Sequence, residues 1–123
     1  MKKSKLKKRS KSKATIDKAD RALQDFYRRT YPNEKCEICG APFNVMHHHL
    51  RKSESNAGRY HHDNLVFICT PCHTSVSFGN MQLVAIYSAK RGKEWVERMT
   101  ELKKIRRQSY GKKELEKIIK IYL

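Results

Sequence analysis

Four cysteines stand in two pairs with the same internal spacing, and they are the side chains best suited to hold a metal ion. Cys36 and Cys39 form the first pair, and Cys69 and Cys72 form the second pair 29 residues later. Each pair can lie on one turn with both thiolates directed at one ion, and two such turns close a tetrahedral zinc site. Two redox dithiols or four inert buried thiols are the alternatives. Because a four-cysteine site has no open position, we expect this zinc to stabilise the fold.

Three consecutive histidines lie between the two cysteine pairs. Imidazoles bind metal ions and transfer protons near neutral pH, so His47, His48 and His49 are candidates for both roles. A zinc ion that joins the cysteine pairs would also bring this triplet close to Asn64 and His73. The sequence therefore predicts imidazoles gathered beside a closed zinc site.

The stretch CEIC…MHHHL…DNLVFICTPCH resembles the HNH, or ββα-metal, endonucleases in the form held together by a four-cysteine zinc. The resemblance covers about residues 36–77: a His pair before an aliphatic residue, Asn-Leu with alternating aliphatic residues, and a final Cys-x2-Cys-His. It implies an α+β fold. A small ββα-metal core would be stapled by zinc and flanked by an N-terminal helix and C-terminal helices.

The resemblance also implies a role for each polar side chain of the motif. His49 would be the general base that deprotonates the attacking water, and Asn64 would hold the loop and help to orient it. His48 and His73 would bind a single catalytic divalent ion, which stabilises charge on the scissile phosphate. His47 would be a strand residue, unless the register of the motif is shifted by one.

Ser77 departs from the pattern of this family. Many relatives have a further histidine four residues after the final Cys-His, and Ser77 occupies that position here. A protein ligand is then missing or replaced by water, which favours Mg²⁺ or Mn²⁺ over a tightly held catalytic zinc. The same departure favours the alternative function, a zinc-stapled nucleic-acid-binding module without catalysis.

A weaker resemblance extends from residue 59 to residue 99. This stretch is similar in its order of residue types to phage recombination nucleases of the NinG/Rap type, which act on branched DNA. The agreement includes the DN…C..C…S.GN core and a following helix with Gly92, Glu94, Val96 and Glu97. Those relatives commonly have Asn at the position of His73. The resemblance implies branched or phage DNA as a substrate, and a location in the host cytoplasm or nucleoid.

The charge of the chain indicates its partner. The formal net charge is +16 and the sequence pI is about 10.0, and the first 13 residues carry eight positive charges and no negative one. Such a field attracts polyanions, which predicts DNA as the partner. Arg51, Lys52 and Arg59 flank the motif and are predicted phosphate contacts, or else are merely solvated. A homodimer would supply the two sites that cleavage of both strands needs.

A membrane surface is the rival partner for a basic chain. A lysine-rich tail without a large apolar face or a lipidation signal is a weak anchor. The sequence has no apolar run near the roughly 18 residues of a spanning helix, and no signal peptide. We therefore expect a soluble, intracellular protein with no membrane partner.

The elements that must position these residues follow from periodicity. Residues 1–13 are predicted to be a disordered basic tail, with a solubilising or address function as the alternative. Residues 14–123 are predicted to form a single domain, with a helix at about 14–30, a core at about 33–79 and C-terminal helices at about 80–122. FNVMHH and NLVFIC are the predicted strands, joined by a polar loop.

Overall fold

The computed structural model describes residues 2–51, 54–105 and 110–123, with the backbone alone for residues 2–12. Within these ranges the chain forms an α+β fold, as predicted. Its helices and strands are α1 Lys2–Thr30, β1 Val45–His48, β2 Leu65–Ile68, α2 Thr70–Ser77, α3 Met81–Arg91, α4 Lys93–Lys103 and α5 Lys112–Tyr122. Two short 3₁₀ turns, Asn56–Gly58 and His62–Asn64, lie in the loop between the strands.

The two strands form an antiparallel hairpin whose faces point in opposite directions. Val45 pairs with Ile68, and His48 pairs with Leu65. Because side chains alternate along a strand, one face carries Met46 and Leu65, and this face packs against α1 and α5. The other face carries Val66 and Ile68 and packs against α2, α3 and α4. Adjacent histidines of β1 therefore point to different sides of the sheet.

Side chains satisfy the outer edges of this two-stranded sheet. The Gln24 amide on α1 donates to the Met46 carbonyl and accepts from the Met46 N–H, both at 2.9 Å. On the opposite edge the Phe67 N–H donates to the Glu37 carboxylate at 2.8 Å. An unpaired backbone group at a sheet edge costs free energy when it is buried, and it can pair with another chain when it is exposed. The helix and the first cysteine turn thus complete a sheet that is too narrow to stand alone.

The N-terminal helix is longer than predicted. Residues 2–13, which we predicted to be a disordered tail, form the first part of α1. No glycine or proline interrupts the segment, and lysine and arginine have good intrinsic helix propensity. Ala19, Leu23 and Tyr27 repeat every four residues and are buried, so the second half of α1 is anchored by packing. The division into a tail and a single domain from residue 14 stays a prediction.

The C-terminal helices lie within the predicted segment, where helical spacing predicts one apolar face with Trp95, Val96, Met99, Leu102 and Ile105. Trp95, Met99 and Leu102 are buried, whereas Val96 and Ile105 are 43% and 50% exposed. Val96 lies at the edge of the buried stripe, and Ile105 lies beyond the end of α4 at Lys103. Within the described residues, no helix is long and apolar enough to cross a membrane.

Truncation of Leu23 tests how much the fold depends on α1. The side chain is 1% exposed, and its loss leaves a cavity between α1 and the sheet. We expect Leu23→Ala to lower the free energy of unfolding by about 2–5 kcal/mol, measured by urea denaturation. Ile121→Ala on α5 is the matched control, since Ile121 is 67% exposed and its truncation should change stability by no more than about 0.5 kcal/mol. Equal losses in the two variants would contradict the packing of α1.

Candidate functional site

The four cysteines converge on one point between the first turn of the core and the end of β2. Their sulfur atoms all lie within 4.8 Å of one another. A tetrahedral zinc with Zn–S bonds of about 2.3 Å needs sulfur atoms about 3.8 Å apart, so small adjustments suffice. Gly40, with φ +80°, closes the first turn by donating its N–H to the Cys36 carbonyl at 3.0 Å. Cys69 and Cys72 lie at the junction of β2 with α2, and the quartet can bind a structural zinc.

The electrostatics of the quartet also suit a cation. Burial raises the pKa of Cys69 and of Cys72, and the neighbouring thiols raise them further. Burial also acts to raise the pKa of Cys36, but hydrogen bonds from backbone amides outweigh it and lower that pKa to about 7. Four thiols this close oppose one another's ionisation unless a positive ion shares their charge.

Helix α3 holds the first cysteine turn in place. Arg91 forms a 2.7 Å ion pair with Glu37, which lies between Cys36 and Cys39. The Lys90 ammonium donates to the Glu37 carbonyl at 3.0 Å. Because Arg91 also donates to the Leu65 carbonyl at 2.8 Å, one guanidinium joins the turn to β2. Sequence reasoning missed these partners, since nothing in the local pattern links residues 37 and 91.

Asn64 joins the two ends of the loop between the strands. It is fully buried, and its amide donates to the carbonyls of Leu50, at 3.2 Å, and Gly58, at 3.0 Å. Its side-chain oxygen accepts from the Leu50 N–H at 2.8 Å, and its carbonyl accepts from the His49 N–H at 2.9 Å. These bonds hold the backbone immediately after the histidine triplet in one conformation.

His47 lies on the face of the sheet that meets α2, next to His73. The two imidazole rings are 5.4 Å apart between centroids. Burial lowers the pKa of His47 to about 4, and the nearby His73 contributes to the shift. His47 is therefore neutral near pH 7, with a lone pair available to a cation. The predicted strand position of His47 agrees with β1, and its ring also lies beside that of His73.

His48 points to the opposite side of β1. Its Nε2 lies 2.7 Å from the Arg59 carbonyl oxygen, which can only accept a hydrogen bond. Nε2 must then carry a proton and donate it to this carbonyl. The Arg59 side chain is itself clamped to α1 by two bonds to Asp20, at 3.0 and 2.7 Å. The ion pair with Asp20 thus fixes the carbonyl that orients His48.

His49 is packed against two aromatic side chains of the C-terminal helices. Its Nδ1 lies 2.6 Å from the Tyr87 hydroxyl, and its ring centroid is 4.7 Å from that of Trp95. Burial raises the pKa of Tyr87 and lowers that of His49, so the hydroxyl stays protonated and the imidazole stays neutral. Among the described residues His49 is the hydrogen-bond partner of this buried hydroxyl. Donation by Tyr87 to Nδ1 therefore places the His49 proton on Nε2.

These side chains line a cleft of about 780 Å³ between the sheet and helices α2, α3 and α4. Its lining includes the histidine triplet, His73 and Ser77, the residue that departs from the family pattern. Arg51 is exposed and also lines the cleft, which suits a phosphate contact. Lys52, the second predicted phosphate contact, lies outside the described residues.

Arg59 and the loop histidines have structural partners. The Arg59 side chain, a predicted phosphate contact, is 13% exposed and paired with Asp20. His62 stacks on Tyr27 and hydrogen-bonds its hydroxyl. His61 accepts from the Asp63 N–H at 3.3 Å and caps the second 3₁₀ turn. These residues hold the loop against α1.

Comparison with known proteins identifies the central segment. Residues 36–79 match the family model described as HNH endonuclease. The match spans the cysteine quartet, the histidine triplet, Asn64 and His73. No curated protein and no solved structure matched the chain. The narrower similarity to NinG/Rap nucleases therefore stays a prediction.

Metal analysis tests the quartet directly. We expect one equivalent of zinc per chain by atomic emission, and a lower unfolding temperature after removal by a chelator, because the ion joins two separate turns. Cys36→Ser should lose the metal, whereas Lys35→Ala, an exposed neighbour, should keep it. A metal-free wild-type protein whose unfolding temperature does not rise when zinc is added would contradict the assignment.

The packing of Gly58 against Asn64 gives a second test. A Cβ atom at Gly58 would lie 2.8 Å from the Asn64 amide nitrogen, which is too close. We expect Gly58→Ala to lower the free energy of unfolding by about 1–3 kcal/mol in urea denaturation, because the amide must move off its carbonyl partners. Gly111→Ala is the control, since its Cβ would meet nothing nearer than 3.9 Å and should cost under about 1 kcal/mol. A neutral Gly58→Ala would show that the Asn64 bonds are dispensable.

Proposed function

We propose, with the HNH endonuclease domain of residues 36–79 as the premise, that this chain is a metal-dependent DNA endonuclease or nickase. The coarser statement, a nuclease or nucleic-acid-binding function with a metal site, follows from the domain and the cysteine quartet. The observation that supports catalysis is the meeting of His47 and His73 in a cleft beside two further imidazoles. A purely structural zinc turn needs no imidazoles outside the quartet.

The catalytic ion would be held by His73 and one histidine of β1. We had predicted His48 for this role from the motif, and the side-chain positions favour His47, because it shares a sheet face with His73. Two protein ligands and several waters suit Mg²⁺ or Mn²⁺, which agrees with serine at position 77. When bound, such an ion supplies charge stabilisation to the scissile phosphate and the leaving 3′ oxygen.

The general base would be the next residue, His48, which ends β1 and belongs to the cleft lining, although its ring is turned toward the loop that carries Arg59. Because its Nε2–H donates to the Arg59 carbonyl, Nδ1 is the nitrogen at which the ring would take up the proton of the attacking water. His49 is the base in the register predicted from the motif. Donation from the Tyr87 hydroxyl to its Nδ1 would leave the proton on Nε2, which suits a hydrogen-bond donor better than a base. The geometry thus supports a register one residue earlier.

The affinity for DNA would come chiefly from phosphate contacts. Arg51 lies at the cleft, Lys52 follows it in the sequence, and a chain with net charge +16 gains from counterion release. Arg59 would be a positioning residue, because its ion pair with Asp20 fixes the backbone carbonyl that accepts from His48. We propose hydrolysis that leaves a 5′-phosphate, with selectivity by DNA shape, on branched or phage DNA if the narrower resemblance holds.

A non-catalytic nucleic-acid-binding module is the second candidate. In the part of the chain that the structure describes, the cysteine quartet is the one group of three or more ligand side chains within metal-binding distance. The histidine side of the cleft therefore has no preassembled three-ligand site. Serine at position 77 is the specific reason, because a histidine there would supply the third imidazole.

A cleavage assay with single histidine variants tests the function and the register together. Supercoiled plasmid and a four-way junction are incubated with the protein in the presence and absence of Mg²⁺, Mn²⁺ or Ni²⁺. We expect His48→Ala to reduce the rate by about 10²–10⁴-fold, the range for a general base. His47→Ala and His73→Ala should raise the metal concentration needed for half-maximal rate, while His49→Phe, which keeps a ring against Trp95, should retain most activity.

The outcomes separate the candidates. His61→Ala is the control, since His61 is exposed and lies outside the cleft lining. A large loss in His49→Phe with a metal-binding defect in His48→Ala would restore the register predicted from the motif. If the wild-type protein and every folded variant bind DNA tightly but cleave it with none of the metals, the function is that of the non-catalytic nucleic-acid-binding module.

A further inference from the structure

The lining of the cleft contains two chemically different sets of side chains. Besides the histidines, α3 and α4 contribute the apolar side chains Met81, Val84 and Val96, here called the apolar wall, and Met81 and Val96 are 69% and 43% exposed. A phosphodiester backbone needs cations and hydrogen-bond donors and gains nothing from such a surface. The flat face of a nucleobase does gain from it, because unstacked bases bind apolar and aromatic side chains. The apolar wall therefore suits a base that has left its stack.

The size of the cleft agrees with this occupant. Its volume of about 780 Å³ lies within the range of about 300–1,000 Å³ that is usual for pockets enclosing a small molecule. An intact duplex is too wide to enter such a space, whereas one nucleotide and its sugar can. The rim carries Arg51 and Lys103, which can meet the flanking phosphates. Lys103 forms a surface ion pair with Glu54, at 3.5 Å, which a phosphate can replace at small cost.

A large aromatic side chain stands exposed on the turn between two residues that line the cleft. Phe78 is 87% exposed, on the turn between Ser77 and Met81, and both of these neighbours line the cleft. Met81 is itself 69% exposed. Two large apolar side chains with this exposure, beside an apolar wall and a basic rim, form a surface that a stacked base would cover.

We propose that the cleft receives an unstacked DNA nucleotide, with its base against the apolar wall and Phe78 stacked on the neighbouring base. The inference rests on the proposed function and deepens it, since it names the substrate class of the same site: DNA that contains unpaired or easily extruded nucleotides. A fully paired duplex binds less well because a base must first leave its stack, which costs a few kcal/mol.

Binding without a divalent ion tests this inference separately from cleavage. The full chain is titrated into three DNAs that share one sequence, a single strand, a duplex with a one-base bulge and a paired duplex, each with 2-aminopurine at the same site. We expect tighter binding and a larger fluorescence change for the bulged and single-stranded forms. Phe78→Ala should weaken binding to these two about tenfold, the scale of one lost stacking contact, and leave the paired duplex unchanged.

Three variants keep the result interpretable. Phe78→Tyr keeps the ring and should behave as wild type, and Ile121→Ala removes an exposed apolar side chain from distant α5 and should change nothing. Met81→Ser, at the apolar wall, should reduce the fluorescence change. Unfolding curves that match wild type show that each variant is folded.

The inference is overturned if all three DNAs bind alike, or if Phe78→Ala leaves the preference intact. Tighter binding of single-stranded RNA than of DNA of the same sequence would also overturn it, in favour of an RNA ligand. A preference for unpaired DNA that depends on Phe78, with no cleavage in any metal, would support the inference while the proposed catalysis fails.

Discussion

The convergence of four cysteines on one point is the constraint from which the rest of the core follows. The quartet brings the turn at residues 36–40 to the end of β2, although 29 residues separate Cys39 from Cys69. With the two ends joined, β1 can pair with β2 in one register, and α2 leaves the sheet at a defined angle. A sheet of two four-residue strands is too small to enforce this geometry by its own hydrogen bonds. A zinc ion bound by the quartet would hold His73, the residue after Cys72, opposite β1.

One face of the sheet packs against α1 and α5, here called the supporting side, and the other packs against α2, α3 and α4, here called the chemical side. On the supporting side, α1 satisfies the edge of β1 through Gln24 and clamps Arg59 through Asp20. On the chemical side, α3 and α4 provide the aromatic pair Tyr87 and Trp95 and the apolar wall of the cleft. The orientation of His48 depends on contacts from the first side, although it lines the cleft. Both helical layers are thus needed to position the histidines of β1.

The fold was predictable where local pattern and packing agree. The helices from residue 14 onward and both strands lie close to the predicted segments, because their apolar residues repeat with the period of the element that buries them. The start of α1 was not predictable from burial, since helix propensity and not an apolar face extends it to Lys2. The exposure of Val96 was also missed, because helical spacing cannot tell the centre of a buried stripe from its edge.

The sequence by itself determined the four-cysteine site, the basic charge and the membership of the histidines, Asn64 and His73 in one cluster, because spacing and residue type carry that information. It could not determine which histidine faces which partner. That depends on the pairing register of β1 with β2, on a backbone carbonyl 11 residues away and on Tyr87, 38 residues away. A shift of one residue turns a side chain to the other face of a sheet, so only the tertiary structure decided that His47 meets His73.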